Sequence, residues 1–314
     1  MRKILTYLSI ALLSLLLQSS AFAADKVTVL LDWFLNPGHA PLFVAENQGF
    51  FKEQNLDVNL IGPADSSDPP KLVAAGKADI AIDYEPQFIQ QVDQGLPLVR
   101  IGALVDHPLN CMAVLKDGPI LTIKDLKGKS VGHSTGEMNS VMLETMLHKN
   151  GLSIKDVNSI NVHYDLSQAL LSKKVDAVTG VMRNFEIIQM DLNGHPARTF
   201  YPEQNGMPTY EEMIFVVNKN QMNDPRWKRF LIAVKEGQAY LQKHPEEMWQ
   251  AFAKAHPELN DELNHRAWKA SLPYFAKDPA EFNSKQWETF VAFMQKKQMI
   301  KKSLPLSTYA KQAE

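Results

Sequence analysis

Within eight residues, Asp32, Trp33, Asn36 and His39 bring together a carboxylate, an indole, an amide and an imidazole. They stand where a strand-like apolar run ends, in VLLDWFLNPGHAPLFVAENQGFFKEQNLDV (29–58). Asp83 with Tyr84, and Asn184-Phe185-Glu186, repeat the pairing of carboxylate and ring after two later apolar runs. Gly136-Glu137-Met138-Asn139 precedes a helical run, where backbone N–H groups are open to an anion. Such groups stack on flat rings and exchange hydrogen bonds with polar edges, which is the chemistry of holding a molecule. Templates for bond-making are missing: there is no G-x-S-x-G elbow, HExxH pair or phosphate loop. The nine histidines show no paired ligand spacing, and the single Cys111 provides neither a disulfide nor a thiolate metal cluster. No metal and no cofactor is expected.

Each candidate also has a plainer role. Trp33 can pack between lobes, Asn36 and His39 can form the Pro-Gly turn, and Asp83-Tyr84 can cap a helix. Glu186 can be a helix-start carboxylate favoured by the macrodipole, and Asp106-His107 can be structural at a hinge.

The elements that position these residues alternate at βα spacing. Strand-like runs cover 27–33, 56–62, 78–84 and 99–105, with helical runs at 40–46, 50–54, 70–75 and 86–94. A second unit begins near Cys111, with strands at 111–116, 159–165 and 175–181 and helices at 140–150, 166–173 and around 184–192. Residues 193–210 are turn-rich, 211–219 read as a strand, and the remainder from Asp224 is helical, with Trp287, Phe290, Phe293 and Met294 spaced along one face. Apolar strands between helices predict mostly parallel sheets in two α/β lobes. Lobe I takes 24–107 with 216–314, lobe II takes 108–215, and the C-terminal helices pack on lobe I. Two crossings, near 106–110 and 213–217, permit hinge closure on a ligand. Asp32, Trp33, Asn36 and His39 then sit at a strand's carboxyl end, where open α/β sheets hold ligands.

Residues 1–23 read as a signal peptide: basic Arg2 and Lys3, apolar Ile4 to Leu17, and Ala21-Phe22-Ala23 before the cut. No cysteine at that cut offers lipid attachment, so a soluble periplasmic protein is expected. Beyond it, 31 lysines and arginines face 35 acidic residues, a weakly acidic balance that argues against nucleic acid or an anionic membrane as partner. A ligand-ready loop on a secreted α/β chain points to solute capture outside the cytoplasm.

Five segments make the resemblance specific: LLDWFLNPGHAPLFVAENQGFFKEQNLDV (30–58), KLVAAGKADIAID (71–83), GLPLVRIGALVDHP (95–108), LKGKSVGHSTGE (126–137) and VDAVTGVMRNFE (175–186). Over roughly 27–300 the chain resembles the family that unites ThiY-like periplasmic pyrimidine-binding proteins with the eukaryotic synthase of the thiamine pyrimidine precursor. The first segment is shared more loosely with binding proteins for sulfonates, taurine and nitrate. The resemblance implies a type II periplasmic-binding-protein fold that closes on an aminopyrimidine and delivers it to an ABC permease and its ATPase, and transport logic favours a monomer. Such a ring wants aromatic faces, for which Trp33, Tyr84 and Phe185 are candidates. Its exocyclic amine wants an acceptor, for which Glu186 and Asn184 are candidates; His39 and Asn36 would donate from the opposite lobe. Glu186 matches the carboxylate that contacts the pyrimidine in these relatives. The stacking tyrosine of some relatives falls on Met182.

The synthases of the same family use a Lys to hold pyridoxal phosphate, a His consumed as substrate, and a Cys-rich segment. Aligned through KADIAIDYEPQ (77–87), the Lys position falls on Asp83 and the His position on Gln87, and 206–215 contains no cysteine. Aspartate cannot form a Schiff base, so a binder rather than an enzyme is expected. The other solutes left open are thiamine, a riboflavin-like ring, a sulfonate and nitrate. An anion would want Arg or Lys, and the candidate loops offer only Arg183.

Overall fold

A computed structural model describes residues 23–134, 136–302 and 304–310. The expected signal segment lies, except for Ala23, outside the described residues. The strands form two five-stranded sheets. The first contains β1 (Asp25–Leu30), β2 (Leu56–Ile61), β3 (Ile80–Asp83), β4 (Leu98–Val105) and β10 (Met213–Asn218), in the order β2-β1-β3-β10-β4. The second contains β5 (Asn110–Leu115), β6 (Ser130–His133), β7 (Asn158–Asn161), β8 (Ala177–Met182) and β9 (Ala197–Phe200), in the order β7-β6-β8-β5-β9.

Pairing is parallel between β1 and both β2 and β3, and between β6 and both β7 and β8. Only β10 in the first sheet and β5 in the second run against their neighbours. Those two are the strands by which the chain enters each sheet from the other, so the reversal follows from the crossings. β10 begins at Met213, which returns the chain to the first sheet a little before the expected 215/216 boundary.

In the first lobe the sheet is covered by α1 (Ala40–Asn47), α2 (Phe50–Glu53), α3 (Pro69–Ala74) and α4 (Glu85–Gln94). The second lobe carries α5 (Gly136–Lys149), α6 (Leu166–Leu171) and α7 (Glu186–Leu192). The C-terminal run forms α8 (Arg226–Lys243), α9 (Pro245–Ala255), α10 (Glu262–Ser271) and α11 (Ser284–Lys296). Along α8, Trp227, Phe230, Leu231, Val234, Gly237 and Leu241 are buried at three- and four-residue spacing, as an amphipathic helix requires. Gly237 is required by contact: a Cβ there would lie 2.5 Å from the Pro41 carbonyl oxygen and 2.8 Å from the Ala45 nitrogen of α1.

Three expectations are corrected. The helix expected from Ser140 already begins at Gly136, so 136–139 form its first turn rather than a loop before it. Residues 197–200, inside the turn-rich stretch, form the edge strand β9. The C-terminal helices do not all keep to lobe I: α10 packs both on the turn 37–39 of lobe I and on α7 of lobe II.

The two crossings are fastened to each other by one carboxylate. Glu212 accepts the Asn110 N–H at 2.7 Å and the Tyr210 hydroxyl at 3.0 Å, together with the Leu109 N–H and the Asn110 side-chain amide. Burial pushes its carboxyl up, against those four hydrogen bonds.

Candidate functional site

The carboxyl ends of β1, β3, β6 and β8 meet at a cleft between the lobes. Lobe I contributes Asp32, Trp33, Asn36, Gly38, Tyr84 and Met213 to its wall; lobe II contributes Asn110, His133, Ser134, Leu166, Thr179, Gly180, Met182, Asn184, Phe185 and Glu186. The space free of atoms is about 660 Å³, open solvent at the mouth included.

On the first lobe the wall is organised around Asp32. The His39 ring donates from Nε2 to Asp32 Oδ1 at 2.9 Å, and the Tyr84 hydroxyl donates to Oδ2 at 2.6 Å. The backbone N–H of Asn36 donates to His39 Nδ1 at 3.3 Å, which leaves the ring proton on Nε2, facing the carboxylate. Burial works against the charge on Asp32, but the His39 and Tyr84 hydrogen bonds outweigh it and hold the carboxyl below its usual range. Tyr84 is pushed well up by burial and by Asp32, so it remains a donor. Asn36 sits in the wall while its side chain shapes the turn: Oδ1 accepts the Gly38 N–H at 2.7 Å and Nδ2 donates to the Phe34 carbonyl at 2.9 Å.

Glu186 faces this network from the start of α7. Its Oε2 accepts the Met182 N–H at 2.8 Å. Burial raises its carboxyl to about 7; backbone N–H groups offset part of that and the negative charge of Asp32 adds to it. Beside it, Asn184 donates from Nδ2 to Ser271 Oγ of α10 at 2.8 Å, which ties the lobes together. The Trp33 ring meets Tyr164 of lobe II edge-on at 4.3 Å, and the Tyr164 hydroxyl donates to the Pro63 carbonyl of lobe I at 3.1 Å. Two buried atoms of wall residues, the donor Trp33 Nε1 and the acceptor Asn184 Oδ1, have no partner among the described residues. Orphaned buried polar atoms in a cleft are what a bound molecule with both an acceptor and a donor would satisfy.

Of the sequence candidates, Asp32, Trp33, Asn36, Tyr84, Asn184, Phe185 and Glu186 therefore share one cleft. Two are corrected. His39 is fully buried behind Asp32 and is absent from the wall, because its two nitrogens are used by Asp32 and Asn36. Asp83 is also outside the wall: its Oδ1 accepts the Tyr84 N–H at 2.8 Å and the Gln87 amide at 2.6 Å, at the head of α4. The side chains of Gly136, Glu137, Met138 and Asn139 lie outside the described residues. The wall residues that sequence reasoning missed include His133, Ser134, Thr179 and Gly180, which the carboxyl-end rule would have found had it been applied to β6 and β8.

Comparison with known proteins matches residues 36–248 to the family described as NMT1/THI5 like. A Haemophilus influenzae chain bearing the name of a thiamine biosynthesis protein is 46% identical, covering 100% of both chains. A formylaminopyrimidine-binding protein of Halalkalibacterium halodurans is 29% identical over 80% of this chain and 76% of its own. A 4-amino-5-hydroxymethyl-2-methylpyrimidine phosphate synthase of Uromyces fabae is 27% identical over 82% and 78%. Among solved structures, a Candida albicans protein with the generic periplasmic binding protein fold superposes with a TM-score of 0.72 at 17% identity, covering 93% of this chain and 97% of that one. The two sheets with their two crossings are that fold.

Proposed function

The chain belongs to the NMT1/THI5-like family, and on that premise we propose that it is a periplasmic solute-binding protein that closes its two lobes on a thiamine-pathway aminopyrimidine for an ABC importer. The observation that carries this reading is the wall itself. Carboxyl groups from both lobes, Asp32 and Glu186, face one cleft with Trp33, Tyr84 and Phe185, and no Lys or Arg stands among its described residues. An amine-bearing heteroaromatic ring satisfies those acceptors and faces. A sulfonate, nitrate or phosphate ester would bring negative charge against two acidic groups without a cationic partner. The signal segment expected from the sequence, the fold and the formylaminopyrimidine-binding relative support delivery from the periplasm.

A synthase is the second reading, since the family includes one. The residues at the synthase positions do not fit pyridoxal phosphate. Asp83 offers no amine, and it is hydrogen-bonded to Gln87 outside the cleft wall. We therefore assign no catalysis.

The test is a thermal-shift panel on protein stripped of ligand by unfolding and refolding. Formylaminopyrimidine or 4-amino-5-hydroxymethyl-2-methylpyrimidine at a hundredfold excess over its dissociation constant is expected to stabilise by about 2.7 kcal/mol, and Glu186→Ala to abolish the shift. A shift with taurine or nitrate and none with either pyrimidine would overturn the assignment.

A further inference from the structure

We propose that the cleft takes up its aminopyrimidine together with one proton, held between Glu186 and a ring nitrogen, so that a carboxylic acid rather than a carboxylate reads the ring. The inference rests on the functional reading above and deepens it. Its basis is the arrangement of charge around Glu186. Asp32 stands across the cleft as a carboxylate secured by His39 and Tyr84. A second fixed negative charge in the same enclosed space would have to be neutralised, and the neighbouring cations are turned elsewhere. Arg183 is held by Glu203 at 2.9 Å and by the carbonyls of Leu109 and Asn110; Arg266 on α10 is held by Glu262 at 2.7 Å. Arg198 of β9 donates to the Lys116 carbonyl at 3.4 Å. Tyr84 and Cys111 are both pushed up by burial and stay protonated, and His133 faces the cleft from β6.

Glu186 is thus left to carry its own proton, in accord with a carboxyl raised to about 7. The neutral acid offers one O–H donor and one carbonyl acceptor. That pair matches a ring nitrogen beside an exocyclic amine: O–H donates to the ring nitrogen, and the amine donates to the carbonyl oxygen. The proton stays on Glu186 and the ring stays neutral. The complex then holds one proton more than the ionised site and the neutral base.

The probe is 4-amino-5-hydroxymethyl-2-methylpyrimidine, titrated calorimetrically into stripped protein from pH 7 to pH 9, in buffers of different ionisation enthalpy. Wild type is expected to take up close to one proton at the upper end and to bind roughly fifty-fold more weakly at pH 9 than at pH 7. Glu186→Gln keeps one donor and one acceptor but cannot titrate. Whatever its affinity at pH 7, it is expected to show no pH slope up to pH 9. A flat wild-type profile overturns the proposal. So does a wild-type slope retained in E186Q, which would assign the proton to another group such as His133. Absence of pyrimidine binding at every pH would sink the functional reading itself, whereas pH-independent binding sinks only this inference.

Discussion

His39 sets the state of Asp32 without facing the cleft. Removing it as His39→Ala leaves a buried carboxylate short of one donor. The expected cost is about 1–3 kcal/mol of folding stability, read by chemical denaturation, together with weaker ligand binding. Glu186 gives a second residue-level expectation, with a definite sign. Its carboxyl is raised in the folded chain, so between its ordinary value of 4.5 and about 7 the folded state binds more protons than the unfolded one. The stability it contributes is full below that window and lost as pH rises through it. Unliganded wild type should therefore lose stability relative to Glu186→Gln between those pH values; parallel denaturation curves would contradict this. The residue types at strand ends marked seven wall residues from sequence. Types alone did not tell which of them turn inward. His39 and Asp83 have the right chemistry, but their hydrogen bonds point to Asp32, Asn36, Tyr84 and Gln87, a matter of tertiary geometry.

The elements were legible where local pattern determines them and obscure where partners do. Apolar runs marked most strands of both sheets, β9 excepted, and the three-four spacing marked the C-terminal helices such as α11. β9 is only four residues, ARTF, each half-buried, and it exists because β5 offers an edge to pair with. The dual packing of α10 was likewise invisible, because which lobe a helix touches is set by the crossings. Gly237→Ala gains about 1 kcal/mol of helix propensity but drives a methyl into the α1 backbone, so a net destabilisation of about 1–2 kcal/mol is expected on denaturation. Tyr164→Ala removes the edge contact with Trp33 and the bond to Pro63, both of which must break when the lobes part. At about 1 kcal/mol for each contact, ligand release followed by tryptophan fluorescence should be roughly tenfold or more faster, with Tyr164→Phe falling between. Unchanged release would show that this contact does not hold the lobes together.

On the scale of the whole molecule, two sheets joined by two crossings place the cleft where a hinge can open it, and Glu212 binds both crossings at that hinge. Two α/β lobes were evident in the order of elements. The order of strands within each sheet was not, since each pairing joins segments far apart in sequence. The wall holds two acidic groups and aromatic neighbours with no described Lys or Arg, which is the ground for proposing an uncharged or protonated amine-bearing ring rather than its phosphate. The most direct measurement is an equilibrium titration of ligand-stripped protein near pH 7 with formylaminopyrimidine, 4-amino-5-hydroxymethyl-2-methylpyrimidine and the phosphate ester of the latter. Saturable binding of an unphosphorylated pyrimidine, one molecule per chain, with the ester excluded and binding lost in Glu186→Ala, is the predicted result. Tight binding of the ester, or no binding of either free pyrimidine by folded protein, would contradict it.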